Sequence, residues 1–245
     1  MQYDEMEDAY VQTSSGRLHC KRHRAGGKKI VFLHGFGAST MSFERLVGEL
    51  PDGLDVCLID LLGHGMSDAP HIEYSVALHA KLVKEFIEEE GLQESYLFGH
   101  SYGGWIAASI AQGGFKGSGL ILEDAAGLKE IYEPIIKKHG VEKYKESLIK
   151  EALIYNPREY VLRSTADSVH EDSLLTAESL SAIVKPTLII WGSEDNMIDV
   201  KYAEIWGDHI KGSALEIVQG AGHVAHYTHA NEVKDLLLKF IGYGT

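Results

Sequence analysis

Short apolar runs alternate with longer amphipathic stretches along this chain. The short runs are IVFL (30–33), VCLI (56–59), YLF (96–98), LIL (120–122), TLIIW (187–191) and LEIV (215–218). Several are nearly continuous in apolar residues, the pattern of strands covered on both faces. Between them, Leu78, Leu82, Val83, Phe86 and Ile87 share one helical face, and Val233, Leu236, Leu237, Phe240 and Ile241 recur at helical spacing. Strand alternating with helix predicts a parallel sheet with helices on both sides. Two more polar strands, near 10–13 and 18–22, predict a leading hairpin around Ser15-Gly16. One interval, from about 127 to 185, carries no strand pattern. There 129–154, 157–168 and 172–183 read as short helices, with breaks expected at Pro134 and Pro157 because proline cannot continue a helix without losing a hydrogen bond. The pattern predicts one α/β domain over residues 1–245 with a helical cap inserted at about 128–184.

Composition narrows the setting. A chain of 245 residues, 44% hydrophobic and 24% charged, can bury a core without disulfides or metals. Its formal charge of −13 lacks the basic footprint of nucleic-acid binding. No apolar run approaches a membrane span, and the acidic start MQYDEMEDAY does not have the form of a secretory leader. The two cysteines, Cys20 and Cys57, lie in apolar or strand-like stretches and are expected to be buried free thiols, consistent with a cytoplasmic location.

The candidate chemistry sits at the ends of the predicted strands. Gly99-His100-Ser101-Tyr102-Gly103 joins the strand 96–98 to a helix predicted over 104–111. A serine on such a turn stands exposed above the sheet edge, beside the positive end of the helix. A serine hydroxyl needs a base. Gly220-Ala221-Gly222-His223 follows the strand 215–218 and offers His223. His226 and His229 follow at intervals of three; with no carboxylate or cysteine cluster beside them, they read as polar groups at the start of the last helix and not as a metal site. The base needs an orienting carboxylate. Trp191-Gly192-Ser193-Glu194-Asp195 follows the strand 187–191 and offers Asp195, with Glu194, Asp199 and Asp124 as rivals. A developing oxyanion needs N–H donors. His34-Gly35-Phe36-Gly37 follows the strand 30–33, and the backbone N–H groups of Phe36 and Tyr102 form the natural pair; a plain glycine turn is the equal alternative for that tetrad.

HGFG, GHSYGG, WGSED and GAGH, standing in this order at strand ends, resemble the α/β-hydrolase family over nearly the whole chain, as does the D-x-x-G-x-G-x-S loop at Asp60, Gly63, Gly65 and Ser67. The resemblance implies an eight-stranded, mostly parallel sheet with a lid inserted after strand six. It is nearest to the small branch with a short helical lid, which holds carboxylesterases, carbon–carbon bond hydrolases, thioesterases and lyase-like members. Ser101 separates the chain from epoxide hydrolases and haloalkane dehalogenases, which place an aspartate there. The turn GHSYGG differs from the Gly-Gly-Ser-Trp-Gly of proline iminopeptidases. Val224 follows His223 where carbon–carbon bond hydrolases often carry Trp, and Leu62 stands where many relatives carry Arg or Pro. The expected activity is that of a serine esterase acting on a small-molecule ester without metal or organic cofactor. Its rivals are carbon–carbon bond hydrolysis of a small dicarbonyl compound and ligand binding with little turnover.

Overall fold

The computed structural model describes residues 1–244. Eight strands form one sheet: β1 (Glu7–Thr13), β2 (Gly16–His23), β3 (Lys29–Leu33), β4 (Asp55–Ile59), β5 (Tyr96–His100), β6 (Gly119–Glu123), β7 (Thr187–Gly192) and β8 (Ala214–Val218). Their spatial order is β1-β2-β4-β3-β5-β6-β7-β8. The leading hairpin is antiparallel, β2 joins β4 antiparallel, and every later pairing is parallel.

The near-continuous apolar runs are explained by two cores, one on each face. Val31, Leu33, Leu97, Leu120, Leu122, Ile189 and Trp191 point into one. Ile30, Phe32, Phe98, Ile121, Leu188 and Ile190, their neighbours along the same strands, point into the other. Side chains alternate across a strand, so a strand buried on both sides has no polar face to show. The first core receives helices α2 (Val76–Glu89), α3 (Tyr102–Gln112) and α8 (Tyr202–His209). The second receives α1 (Glu44–Glu49) and α10 (Ala230–Ile241), after the short α9 (Ala225–Thr228). Cys20 and Cys57 are buried and free.

Between β6 and β7 the chain forms α4 (Lys129–His139), α5 (Val141–Ala152), α6 (Glu159–Asp167), a 3₁₀ turn at Glu171–Ser173 and α7 (Ala177–Leu180). Here the sequence reading needs correction. Pro134 does not break the first helix; it lies inside α4, and the break falls at Gly140, with φ 81°. Proline withdraws one N–H from the ladder, but α4 is held from outside. Ile131 is buried and the Tyr132 ring meets Trp105 at 6.0 Å. Pro157 does lie in a break, between α5 and α6. The stretch expected as a helix over 172–183 keeps only the four-residue α7, started by a capping box between Thr176 and Ser179. Ile149, Ala152, Leu162 and Ala166 make a small core between α5 and α6, against which Phe36 packs. No helix among the described residues is long and apolar enough to cross a membrane.

The chain runs from β3 out to β4 and then crosses back to place β5 on the other side of β3. Ligand sites in such sheets form beyond the carboxyl ends of the strands at this switch. HGFG leaves β3 there, and Ser101 leaves β5.

Candidate active site

Ser101 is the residue between β5 and α3 and holds φ 51°, ψ −113°. So sharp a turn requires bare flanks. A Cβ on Gly99 would stand 2.3 Å from the Gly103 carbonyl oxygen, and one on Gly103 would stand 2.1 Å from that of Leu33. The strained turn is held from below, where Ser101 N–H donates to the Glu123 carbonyl at 2.9 Å and Ala126 N–H to the Ser101 carbonyl at 3.1 Å.

His223 comes over the sheet edge on the loop after β8, and Asp195 on the loop after β7. The two loops are joined by Ser193 N–H to the Val218 carbonyl (3.0 Å), Glu194 N–H to the Ala221 carbonyl (2.8 Å) and Gly220 N–H to Ser193 Oγ (2.8 Å). His223 Nδ1 lies 2.7 Å from Asp195 Oδ2, and Nε2 lies 3.0 Å from Ser101 Oγ. A carboxylate only accepts, so Nδ1 carries the proton and Nε2 is left with a lone pair facing the serine hydroxyl. Asp195 Oδ1 accepts the N–H groups of Met197 (2.7 Å) and Ile198 (2.9 Å), which fixes the carboxylate plane.

The two anticipated N–H donors flank this serine. Tyr102 follows it in the chain, and a Cβ on Gly35, just before Phe36, would stand 3.4 Å from Ser101 Cβ. Neither N–H has a partner among the described residues. Three buried histidines brace this turn. His34 Nδ1–H donates to the Gly35 carbonyl at 2.8 Å, on the same peptide unit as the Phe36 N–H, while its Nε2 accepts from Leu61 N–H at 3.1 Å. His64 Nε2 accepts from Gly37 N–H at 3.3 Å. His79 Nε2–H donates to the Leu62 carbonyl at 3.0 Å, and Nδ1 accepts the Tyr102 hydroxyl proton at 2.9 Å. Each ring spends one nitrogen as donor and one as acceptor, the neutral form. Burial pushes all three pKa values down, that of His79 to about 4.

The structure therefore brings Ser101, Asp195, His223, Phe36 and Tyr102 together. The rivals for the acid part ways. Glu194 is exposed, and Asp199 is exposed and paired with Lys201 at 3.2 Å. Asp124 is buried beside Asp195. His226 does not face the serine; it is buried, with Nδ1 2.7 Å from Glu123 Oε2. His229 meets Thr228 Oγ1 at 2.9 Å. Sequence reading missed His100, whose Nε2–H donates to the His223 carbonyl at 2.7 Å. It also missed the bracing histidines, each of which has at least one partner seventeen or more residues away in the chain. Asp60, read only as part of the D-x-x-G-x-G-x-S loop, is a hub: it accepts Thr40 N–H (2.8 Å) and Met66 N–H (2.9 Å) and pairs with buried His19 at 2.7 Å. His100, Asp124 and His223 bring one ligating atom each within 4.8 Å of one another, the spacing of a metal set. The contacts already made by His100 Nε2 and His223 Nδ1 describe a hydrogen-bonded cluster instead.

Comparison with known proteins bears on the family and the fold. The sequence pattern of the alpha/beta hydrolase family matches residues 30–236. Monoacylglycerol lipase abhd6-A of Xenopus laevis is 27% identical, over 91% of this chain and 78% of its own. The 2-hydroxy-6-oxononadienedioate/2-hydroxy-6-oxononatrienedioate hydrolase of Paraburkholderia phymatum is 26% identical over 95% of both chains. Among solved structures, a membrane phospholipase A described as a bacterial virulence factor superposes with a TM-score of 0.81 at 22% identity, covering 97% of this chain and 86% of that one. The order of motifs, the eight-stranded sheet and the matched span place this chain in the alpha/beta hydrolase family.

Proposed function

We propose that this hydrolase cleaves carboxylic esters of small to medium acyl chains through an acyl-enzyme on Ser101. Ser101 Oγ attacks the ester carbonyl as its proton passes to His223 Nε2, and the negative oxygen of the tetrahedral adduct accepts the N–H groups of Phe36 and Tyr102. His223 then gives that proton to the departing alkoxide, which leaves as the alcohol. Water, deprotonated by His223, attacks the acyl-enzyme, and the proton returns to Ser101 as the acid departs. Asp195 holds the ring and stabilises its cationic form. The observation that carries this reading is the unbroken hydrogen-bond run from Ser101 Oγ through His223 to Asp195 beside two unpartnered N–H groups. Similarity to a monoacylglycerol lipase supports ester chemistry. The shortness of the cap helices supports a small acyl group.

Similarity over 95% of both chains to a hydrolase of hydroxy-oxo-nonadienedioate and -nonatrienedioate favours a second reading, carbon–carbon bond hydrolysis of a small dicarbonyl compound. One panel separates the two: aryl esters of about two to sixteen acyl carbons, below their aggregation limits, beside one ring-fission dienone acid. The expected result is a kcat/KM maximum at the short-ester end with no jump in rate above the solubility limit. A maximum at long chains, or faster turnover of the dienone acid, overturns the small-ester reading; no turnover of any substrate leaves a binding protein.

A further inference from the structure

A second carboxyl group stands beside Asp195, and the steps above leave it unused. Asp124 follows β6 with φ 45°, one of two non-glycine residues at positive φ among the described residues, the other being Ser101. It is wholly buried. Its Oδ1 accepts the Gly192 N–H at 2.9 Å, while Oδ2, sealed from solvent, meets no N–H or O–H donor. Asp195 stands beside it: Gly192, whose N–H Asp124 accepts, takes the Asp195 N–H on its carbonyl at 3.3 Å, and both carboxyls approach the His223 ring, that of Asp195 at 2.7 Å. Ring nitrogens of His223 and His100 lie within 4.8 Å of an Asp124 oxygen, and Glu123 precedes it on β6.

Two neighbouring carboxylates in a dry site do not both keep their charge; one takes a proton, which then bridges the pair. The donors around each decide which. Asp195 accepts three N–H groups, from Met197, Ile198 and His223. Asp124 accepts one. Each donor stabilises the anion, so Asp195 is the carboxylate and Asp124 the acid. We propose that Asp124 is a neutral carboxylic acid whose O–H donates to Asp195, making it a positioning residue for the Asp195–His223 pair, and that on loss of Asp195 it ionises and orients His223 in its place. Burial, followed by the charges of Glu123 and Asp195, pushes the Asp124 carboxyl well above the usual range, in the same direction.

The proposal rests on Ser101 and His223 being the reacting groups, and its test separates the two. Labelling of Ser101 by a fluorophosphonate in the wild-type protein checks that foundation alone. Two further measurements address Asp124. In protein labelled with ¹³C at the aspartate carboxyls, one signal should keep the chemical shift of a protonated acid at neutral pH; Asp124→Asn should remove it. If all aspartates are ionised in the wild-type spectrum, the proposal falls, whether or not the variant folds. The kinetic arm compares Asp195→Ala with Asp195→Ala/Asp124→Asn. An orienting aspartate is worth about 10⁴ on the serine-protease template, and a displaced substitute should recover part of that, so the double variant should lose about tenfold or more in kcat/KM beyond the single one. The single variant should also gain a new acid limb in its pH profile, as Asp124 ionises, that the double variant lacks. Equal rates and equal profiles overturn the takeover.

Discussion

His223 is held by two contacts of opposite polarity, Nδ1–H toward Asp195 and a lone pair on Nε2 toward Ser101. Exchanging them would leave a folded protein with the ring in its wrong tautomer. Asp195→Asn does this, since an amide N–H cannot accept the Nδ1 proton. We expect kcat to fall by about 10⁴, the loss seen on the serine-protease template, with secondary structure intact by circular dichroism. Asp124→Asn should cost far less, because its amide can still donate to Asp195. If Asp124→Asn is instead the crippling change, the orienting acid lies after β6. Ser101→Ala should abolish both fluorophosphonate labelling and ester turnover; label on any other serine refutes the assignment of the nucleophile.

The strand ends set the positions of all five groups, and most of that was legible in the sequence. Apolar runs without alternation marked the parallel strands, and Gly or Ser clusters at their ends marked the turns. What escaped had a shared cause: it depended on neighbours distant in the chain. Pro134 is a helix breaker on local grounds, yet Ile131 and Tyr132 are anchored against the core and carry α4 through it. Asp124 could be named as a rival but not placed, because its closeness to Asp195 comes from the β6–β7 pairing. The turns give a paired test at this scale. Gly103→Ala puts a Cβ 2.1 Å from the Leu33 carbonyl oxygen, and the strand or helix must move. We expect it to be insoluble or strongly destabilised, by more than about 3 kcal/mol. Gly48, inside α1, has nothing within 4 Å of its Cβ position. Gly48→Ala should stabilise by about 0.5–1 kcal/mol in urea unfolding. A reversed order would contradict the packing described.

Across the whole molecule, the buried histidines set the response to acid. Burial lowers the pKa values of His34, His64, His79 and His100. Below about pH 6.5 the unfolded chain takes up protons at these rings that the native chain refuses, so stability falls as pH falls. Each contributes a slope of up to about 1.4 kcal/mol per pH unit down to its native pKa, about 4 for His79. Four together approach about 5 kcal/mol per pH unit, of which Asp124, a neutral acid when folded and ionised when unfolded above about pH 4, takes back about 1.4, against a typical domain stability of about 5–15 kcal/mol. His19 has the opposite sign. Burial pulls its pKa down, but Asp60 and Asp8 outweigh this and leave it raised, so its contribution is complete below about pH 6.5 and is lost only as pH rises through its native value. Unfolding near pH 5 should take up protons on balance, the uptake by the histidines exceeding the one proton that Asp124 releases as it ionises, measured from the pH dependence of Tm by calorimetry in buffers of different ionisation heat. A Tm flat from pH 5 to 7 refutes this. The cap carries a further consequence. Phe36, whose N–H is a proposed oxyanion donor, also closes the small core between α5 and α6. Filling of the oxyanion site and ordering of those helices are therefore thermodynamically linked, each favouring the other by the same coupling free energy. A bound transition-state analogue should slow amide exchange in α5 and α6, and Leu162→Ala in the cap should weaken that analogue's affinity by the factor through which it loosens Phe36.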